Sequence, residues 1–300
     1  MTHPAGGRPV VAAIDGSADS LRGARTAAEE ARLRNAPLEL LTAVPWSSLG
    51  GATPTPPDAD LPGMLRTDAD AVLRGVAAEV EGTLGPDRVS WAVVEQTSVE
   101  ALVEASARAQ LLVLGSRGAG GVAGLVIGST ASAVVAHARC PVLVLPDDTW
   151  VSVSHRRSVV VGVEGRAGDE EVLTVAFEAA AARGTELVAV HAWRDARIDA
   201  AYQTIAPLVD WAGVRAEEQR VLAEALAGWR DKQSDVVVRE VVLRDRTAHG
   251  LLAAALTAEL LVVGHRRRNR LAALGSTTHG VLQRASCPLV VVPLRSSEEH

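Results

Sequence analysis

An internal repeat is the feature of this 300-residue sequence that most constrains its fold. Four segments of the first half recur in the same order in the second half. The pairs are Val10–Gly16 with Val159–Gly165, Leu111–Gly115 with Leu260–Gly264, Gly128–Thr130 with Gly275–Thr277, and Cys140–Pro141 with Cys287–Pro288. The first two pairs are 149 positions apart and the last two are 147 apart, so two residues are lost between Gly264 and Gly275. Such a repeat predicts two copies of one domain, at 1–147 and 158–300, with a linker at 148–157.

Each copy alternates short β-branched runs with longer amphipathic segments. The predicted strands lie near 10–15, 38–44, 89–95, 111–115 and 142–145, and again near 158–164, 186–192, 236–242, 260–264 and 289–292. Helices are predicted between them, near 18–34, 64–84, 98–107 and 128–138 in the first copy. Strict β/α alternation predicts an α/β fold: two tandem doubly wound domains, each a five-stranded parallel sheet flanked by helices. Ligands of such sheets bind at the carboxyl ends of the strands.

Two stretches interrupt this alternation. Pro45 to Gly63 is rich in proline, glycine and serine, which predicts a long surface loop after the second strand. Its counterpart in the second copy, Trp193 to Pro207, is more polar and is compatible with partial helix.

Composition excludes several classes of protein. The formal charge of −6 is not gathered into long blocks of one sign, which argues against a DNA-binding face. An aromatic content of 3% leaves few platforms for stacking single-stranded nucleic acid. The N-terminus lacks an apolar signal core and no apolar run reaches membrane-spanning length, so we expect a soluble, cytoplasmic protein. Cys140 and Cys287 belong to no C-x-x-C pair, which favours small buried residues over a zinc or redox motif.

A glycine-rich loop follows the fourth predicted strand of the first copy. Glycines stand at positions 115, 118, 120, 121 and 124, and Gly128 opens the next helical segment. Strand, glycine loop and helix N-terminus are the parts with which proteins surround phosphate. A Walker A loop is excluded because the chain's one lysine, Lys232, lies elsewhere. A Rossmann fingerprint is weak, because Ala123 stands where its third glycine belongs and the loop does not follow the first strand.

The spacing Gly115-x-x-Gly118, nine residues, Gly128-Ser129 resembles the ATP-binding signature of the universal stress proteins, in their tandem arrangement. Asp15-Gly16-Ser17 and Cys140-Pro141 also resemble that family, and the resemblance covers essentially the whole chain. It implies ATP, with Mg²⁺, in the first domain, and no metal ligands from protein side chains. The expected nucleotide contacts are Ala13, Ile14, Asp15, Ala43, Gly115, Ser116, Arg117, Gly118, Ala119, Gly120, Gly121, Gly128, Ser129 and Thr130.

The chemistry of these residues agrees with that implication. Gly115 and Gly118 allow a backbone to turn sharply and approach phosphate without a Cβ. Ser129 and Thr130 offer hydroxyl and N–H groups at the positive end of a helix dipole. Arg117 either adds charge to the phosphates or faces solvent.

The resemblance implies two further contacts on the nucleoside side. Asp15 would contact the ribose or adenine, and capping of the following helix is its alternative role. Ala43 would offer backbone groups to the adenine edge.

The second copy departs from the signature. Arg267 stands where Gly118 would align, Glu164 replaces Asp15, and the spacer is two residues shorter. A degenerate site is therefore favoured, although the four arginines of this loop could still bind phosphate through side-chain charge. The corresponding positions are Gly162, Glu164, Gly264, Arg267, Gly275, Ser276 and Thr277.

The function implied by the resemblance is an ATP-binding stress-response regulator or sensor with little or no turnover. An unknown regulatory protein would be its partner. The resemblance also implies that the two domains pair through their fifth strands, and it leaves further homodimerisation open. No residue pair presents itself as general acid and base, and the histidines have no metal-ligand spacing. Three alternatives stay open: a slow ATPase, an interaction module that needs no nucleotide, and adenylating chemistry. The last rests on a loose resemblance of Asp15–Ser20 to the S-G-G-x-D-S loop of ATP pyrophosphatases.

Overall fold

A computed structural model describes residues 7–45, 60–118, 127–146, 158–166, 168–193, 210–266 and 274–294. The chain divides into two compact units, Met1–Asp148 and Thr149–His300, called domain 1 and domain 2 below.

Domain 1 is a doubly wound parallel sheet. Its elements are β1 (Val10–Ala13), α1 (Ala18–Leu33), β2 (Leu38–Ala43), α2 (Leu61–Leu84), β3 (Val89–Val94), α3 (Ser98–Ser106), β4 (Leu111–Gly115), α4 (Ser129–His137) and β5 (Val142–Leu145). The strand order is β3-β2-β1-β4-β5, with every pair parallel. The order reverses between β1 and β4, so the crevice beyond their carboxyl ends is the expected ligand position.

Domain 2 repeats this architecture. Its elements are β6 (Ser158–Gly162), α5 (Asp169–Arg183), β7 (Glu186–Trp193), α6 (Trp211–Leu226), α7 (Trp229–Lys232), β8 (Val238–Arg244), α8 (Thr247–Ala254), β9 (Leu260–Arg266), α9 (Ser276–Leu282) and β10 (Leu289–Leu294). The strand order is β8-β7-β6-β9-β10, again all parallel. The predicted fold class is confirmed for both domains. Pairing of the two domains through β5 and β10 stays a prediction.

The sheets form because their central strands are apolar on both faces. Val10, Val11 and Leu111 to Val113 are completely buried, as are Val159 to Val161 in domain 2. Helices on both sides of a parallel sheet require such continuous apolar runs. The interior therefore fixes the strands, and the functional differences between the domains lie at the strand ends.

The start of α2 differs from the prediction. The helix begins at Leu61 rather than near 64, so the predicted loop to Gly63 is wrong over its last three residues. Asp60 causes the early start, because its carboxylate accepts a hydrogen bond from Gly63 N at 3.0 Å. Asp210 caps α6 through Gly213 N in the same way. Residues 46–59, the whole predicted linker at 148–157, and 194–207 lie outside the described residues.

Both cysteines precede the last strand of their domain and are buried. Burial raises the pKa of Cys140 to about 12, because a thiolate there would lose its hydration. Within the described ranges, none of the helices combines the length and apolarity needed to cross a membrane.

Candidate functional site

A crevice lies at the carboxyl edge of the domain 1 sheet, where the strand order reverses. It is lined by Ala13, Ile14, Asp15, Ser20, Leu41, Ala43, Ser98, Leu102, Leu114, Gly115, Ser116, Arg117, Gly118, Thr130 and Ala131. These residues come from β1, β2, β4 and their following turns, and from the first turns of three helices. Nine of the predicted nucleotide contacts are therefore together in one place.

The remaining predicted contacts fall into two groups. Gly128 and Ser129 lie at the start of α4, next to Thr130, but are not part of the lining. Ala119, Gly120 and Gly121 lie outside the described residues. The sequence analysis did not identify Ser20, Leu41, Ser98, Leu102, Leu114 and Ala131. Most of these are apolar residues or serines whose types carry no signal beyond that of a core or a helix start.

Asp15 organises the turn that follows β1. Its Oδ1 accepts hydrogen bonds from Ser17 N at 3.0 Å and from Ser17 Oγ at 2.6 Å. Ser17 in turn caps α1, since its Oγ accepts from Ser20 N at 3.2 Å. The helix-capping role considered for Asp15 therefore belongs to Ser17, and the carboxylate of Asp15 holds the cap in place.

Two glycines of the signature are required by the protein's own atoms. A Cβ on Gly118 would lie 2.6 Å from Asp15 Oδ2, closer than side-chain atoms tolerate. A Cβ on Gly115 would lie 2.9 Å from Asp19 Cβ and 3.1 Å from the Asp19 carbonyl carbon. The loop thus presses against α1 and against Asp15, which is a reason for glycine in addition to the predicted approach to phosphate.

Ser116 contributes a buried hydroxyl to the crevice. Ser116 is only 4% exposed, and its Oγ has no hydrogen-bond partner among the described residues. Buried polar groups normally have one, so this hydroxyl is available to a ligand or a water molecule. The carbonyl oxygen of Ser116 accepts a hydrogen bond from Gly128 N at 2.8 Å, which ties the end of β4 to the start of α4.

The N-terminus of α4 opens next to Ser116. Gly128 is its N-cap and carries no side chain, and no described side chain caps the helix. The first amides of a helix have no partner within it and attract anions. Thr130, in this first turn, lines the crevice.

Arg117 brings positive charge to the same corner. Its Nε lies 3.6 Å from Oδ2 of the buried Asp19, and its side chain is 35% exposed. Arg117 is therefore partly buried beside an acid, and whether it meets phosphate or solvent stays a prediction.

Domain 2 has different contacts at the matching edge. Glu164, which corresponds to Asp15, pairs with Arg266 at 3.2 Å. The turn after β6 is instead organised by Asp169, whose carboxylate accepts from the backbone N–H groups of Glu164, Gly165 and Arg166 at 3.1, 2.7 and 3.0 Å. The residue that would meet the ligand is thus engaged with its own domain.

A buried histidine ties α6 to this edge of domain 2. His191 Nδ1 lies 2.8 Å from the carbonyl oxygen of Val163, and Nε2 lies 2.8 Å from Glu218 Oε2. Thr42 occupies the matching position in domain 1, and its Oγ1 donates to the carbonyl oxygen of Ile14 at 2.8 Å. His191 therefore contacts the carbonyl that follows the first strand, as Thr42 does, and adds a hydrogen bond to Glu218 of α6.

The glycines of the second-copy site serve packing. A Cβ on Gly162 would lie 3.1 Å from Leu251, and one on Gly264 would lie 3.0 Å from both Leu294 and Val172. Gly275 is the N-cap of α9, and Ser276 and Thr277 are its first residues. Arg267 lies outside the described residues.

Fold and crevice together define a tandem α/β protein with a candidate ligand site at the switch point of its first sheet. The sequence model described as the universal stress protein family matches residues 7–146 and again 155–293. The chain belongs to the universal stress protein family.

Similar proteins have the same two-domain organisation. Universal stress protein Rv2005c of Mycobacterium tuberculosis is 35% identical over 298 residues, covering 97% of this chain and 99% of that protein. Universal stress protein Rv2623 of the same organism is 34% identical over 293 residues, covering 94% and 95%. The crystal structure of a universal stress protein from Archaeoglobus fulgidus covers 97% of this chain and 98% of that one, with a TM-score of 0.67 and 20% identity. This last likeness concerns the fold alone.

Proposed function

We propose that domain 1 binds ATP, with Mg²⁺, in the crevice between β1 and β4, and that the protein acts in the cytoplasm as a regulator or sensor with little or no turnover. One observation carries the proposal. Nine positions picked from sequence segments as far apart as Ala13 and Thr130 line a single crevice at the switch point of the sheet. Membership of the universal stress protein family accords with a role in stress responses.

The phosphate side of the crevice supports an anionic ligand. Ser116 Oγ is a buried hydroxyl without a described partner, and α4 begins at Gly128 without a side-chain cap. Arg117 adds a positive charge beside them. A phosphate group would give each of these groups a partner, because phosphate oxygens accept several hydrogen bonds at once.

The opposite side of the crevice supports a planar apolar group. Leu41, Leu102 and Leu114 line it, and the end of β2 at Ala43 leaves backbone groups at its rim. An adenine ring fits this chemistry, with apolar contacts to its faces and backbone hydrogen bonds at its edge. Asp15 also lines the crevice, and its carboxylate is the group proposed to meet the ribose.

Mg²⁺ would be held mainly by the phosphates and water. This ion usually keeps several waters and takes few protein ligands in nucleotide sites. That no protein side chain binds the ion stays a prediction. When bound, the ion would neutralise phosphate charge.

Domain 2 is proposed not to bind ATP in the matching position. Its Glu164 and Arg266 are paired with each other, and Gly162 packs against Leu251. One nucleotide per chain is therefore expected.

Calorimetry with MgATP tests the proposal, together with mass spectrometry of nucleotide released from protein purified out of cells. We expect one ATP per chain, weaker binding by Ser116→Ala, and unchanged binding by Ser276→Ala as the domain 2 control. Absence of both heat and copurified nucleotide would favour an interaction module without nucleotide. Phosphate release that disappears in Gly118→Val would instead favour a slow ATPase.

A further inference from the structure

One buried carboxylate of domain 1 is shared by two arginines that face different parts of the molecule. Asp19 lies in the first turn of α1 and is 7% exposed. Its Oδ1 accepts a hydrogen bond from Arg22 Nη2 at 2.8 Å, and its Oδ2 lies 3.6 Å from Arg117 Nε. Arg117 lines the crevice, so Asp19 is the neighbour through which the crevice meets α1.

Arg22 connects this pair to the chain as it leaves the domain. The Nη2 atom that bonds Asp19 also donates to the carbonyl oxygen of Pro146 at 3.1 Å. Pro146 follows β5 and is the last described residue before the segment between the domains. Three contacts thus form a continuous path from Arg117 through Asp19 and Arg22 to Pro146.

The two contacts of Asp19 differ in strength. The distance to Arg22 is that of a charge-assisted hydrogen bond, whereas 3.6 Å to Arg117 is too long for one. Oδ2 is buried and makes no hydrogen bond to any described residue. Arg117 is therefore the partner that can leave. Its departure would leave the negative charge on the buried Oδ2 of Asp19 without a positive neighbour.

We propose that Asp19 couples the phosphate site to the exit of the chain from domain 1. A phosphate group in the crevice draws Arg117 away from Asp19. Asp19 then takes both of its oxygens to Arg22, and Arg22 loosens its hold on the carbonyl of Pro146. The inference rests on the proposed function for the identity of the ligand, but the path itself consists of protein contacts.

Domain 2 shows that the path is not a requirement of the fold. Gly168, with a φ of 103°, stands at the position that matches Asp19, and Glu171 stands at that of Arg22. The acid of that turn is displaced by one residue to Asp169, where it bonds the backbone of its own loop. The coupling is thus specific to the domain that has the crevice.

Hydrogen–deuterium exchange of the peptide spanning residues 142–157 tests the coupling in the full chain. Arg117→Gln imitates the departure of Arg117 without any ligand, and we expect exchange near Pro146 to rise by about tenfold, the scale of one hydrogen bond from a charged group. Saturating MgATP is expected to raise it in the wild type. In Arg22→Gln exchange is already fast, and MgATP adds nothing further.

Arg25→Gln is the matched control. Arg25 lies on the same helix, three residues beyond Arg22, and pairs with Glu79 of α2 instead. Its removal should leave exchange near Pro146 and the response to MgATP unchanged. Circular dichroism of each variant verifies that the domain is folded.

The outcomes separate the two proposals. Unchanged or slower exchange in Arg117→Gln overturns the coupling, whether or not ATP binds. A wild type that shows no heat with MgATP overturns the proposed function, and the Arg117→Gln result then decides the coupling alone. ATP that binds without changing exchange near Pro146 also overturns the coupling.

Discussion

The two domains share a sheet topology but treat the carboxyl edge of that sheet in opposite ways. In domain 1 the edge is open, and a crevice bordered by Asp15, Ser116 and Arg117 lies between β1 and β4. In domain 2 the corresponding acid, Glu164, is paired with Arg266. The difference teaches that one sheet topology can engage the acid at this edge with its own turn, as for Asp15 and Ser17, or with the neighbouring strand, as for Glu164 and Arg266.

The two domains stabilise the turn after their first strand with acids at different positions. Domain 1 uses the acid at the strand end, Asp15, to hold the helix cap, with Ser20 Oγ 3.4 Å from Asp15 N. Domain 2 places the acid five residues later, at Asp169, the position that matches Ser20. Asp169 alone then satisfies three backbone N–H groups, so Glu164 is not needed for the turn. In domain 1 the acid at the end of the first strand holds the turn, whereas in domain 2 an acid at the start of the following helix holds it.

Substituting the matching turn residues Asp169 and Ser20 should give the largest difference between the domains. Asp169→Ala removes the carboxylate that accepts from three backbone N–H groups and should cost about 3 kcal/mol of the stability of domain 2. Ser20→Ala in domain 1 should cost about 1 kcal/mol. Hydrogen exchange of the β6 and β1 peptides at low denaturant measures each domain separately. Equal costs would contradict the assignment of the turn to Asp169.

Gly118 should be the position most sensitive for ligand binding. A Cβ there collides with Asp15 Oδ2, so Gly118→Ala should displace the carboxylate and weaken ATP binding about 100-fold, or about 2.7 kcal/mol. Gly275→Ala is the control, because a Cβ on Gly275 has no described atom within 4 Å. Calorimetry provides the affinities, and an unaffected Gly118→Ala variant would show that Asp15 does not contact the nucleotide.

The matched residues His191 and Thr42 test how α6 is held to the sheet of domain 2. His191→Leu should cost about 2 kcal/mol, because it removes two hydrogen bonds and leaves Glu218 without its partner. Thr42→Val removes one bond to Ile14 and should cost about 1 kcal/mol. Urea unfolding followed by exchange of α6 and α2 peptides distinguishes them. Protection of α6 that survives in His191→Leu would show that other contacts hold the helix.

The smallest difference concerns pH at α3 of domain 1 and at its counterpart α8 of domain 2. Hydrogen bonds from the side chain and then the backbone of Thr97 lower the pKa of Glu100 in the capping box of α3, whereas no described side chain caps α8. A carboxyl whose pKa is lowered by folding stabilises the protein above its unfolded pKa, and this stabilisation is lost as pH falls through the folded pKa. We expect the stability difference between wild type and Glu100→Ala to shrink as pH falls from 7 to 3. A difference independent of pH would argue against the capping box.

The sequence predicted the fold well because its signals are local and repeated. Alternating apolar runs identify strands, and the two copies verify each other. The crevice could be located because glycine, serine and aspartate stand at strand ends, where backbone geometry restricts residue type. The early start of α2 was not anticipated, since Asp60 looks like any polar residue of a long loop.

The contacts of Asp19 could not be predicted from the sequence. An acid in the first turn of a helix is ordinary, because it interacts favourably with the helix dipole. Its partner Arg117 is about 100 positions away, and its other partner, Arg22, reaches Pro146 across 124 positions, so only the folded chain brings these groups together. The contact between His191 and Glu218 was equally hidden, since one lies within β7 and the other on α6, 27 positions away.

The buried thiol before β5 has a consequence for the chemical reactivity of domain 1. Burial raises the pKa of the Cys140 thiol to about 12, so the thiol stays protonated at pH 7. Peroxides and disulfides react with thiolates, so Cys140 is a poor target for oxidants while the domain stays folded. The thiol beside β5, the last strand of domain 1, is thus protected from oxidation in the folded domain.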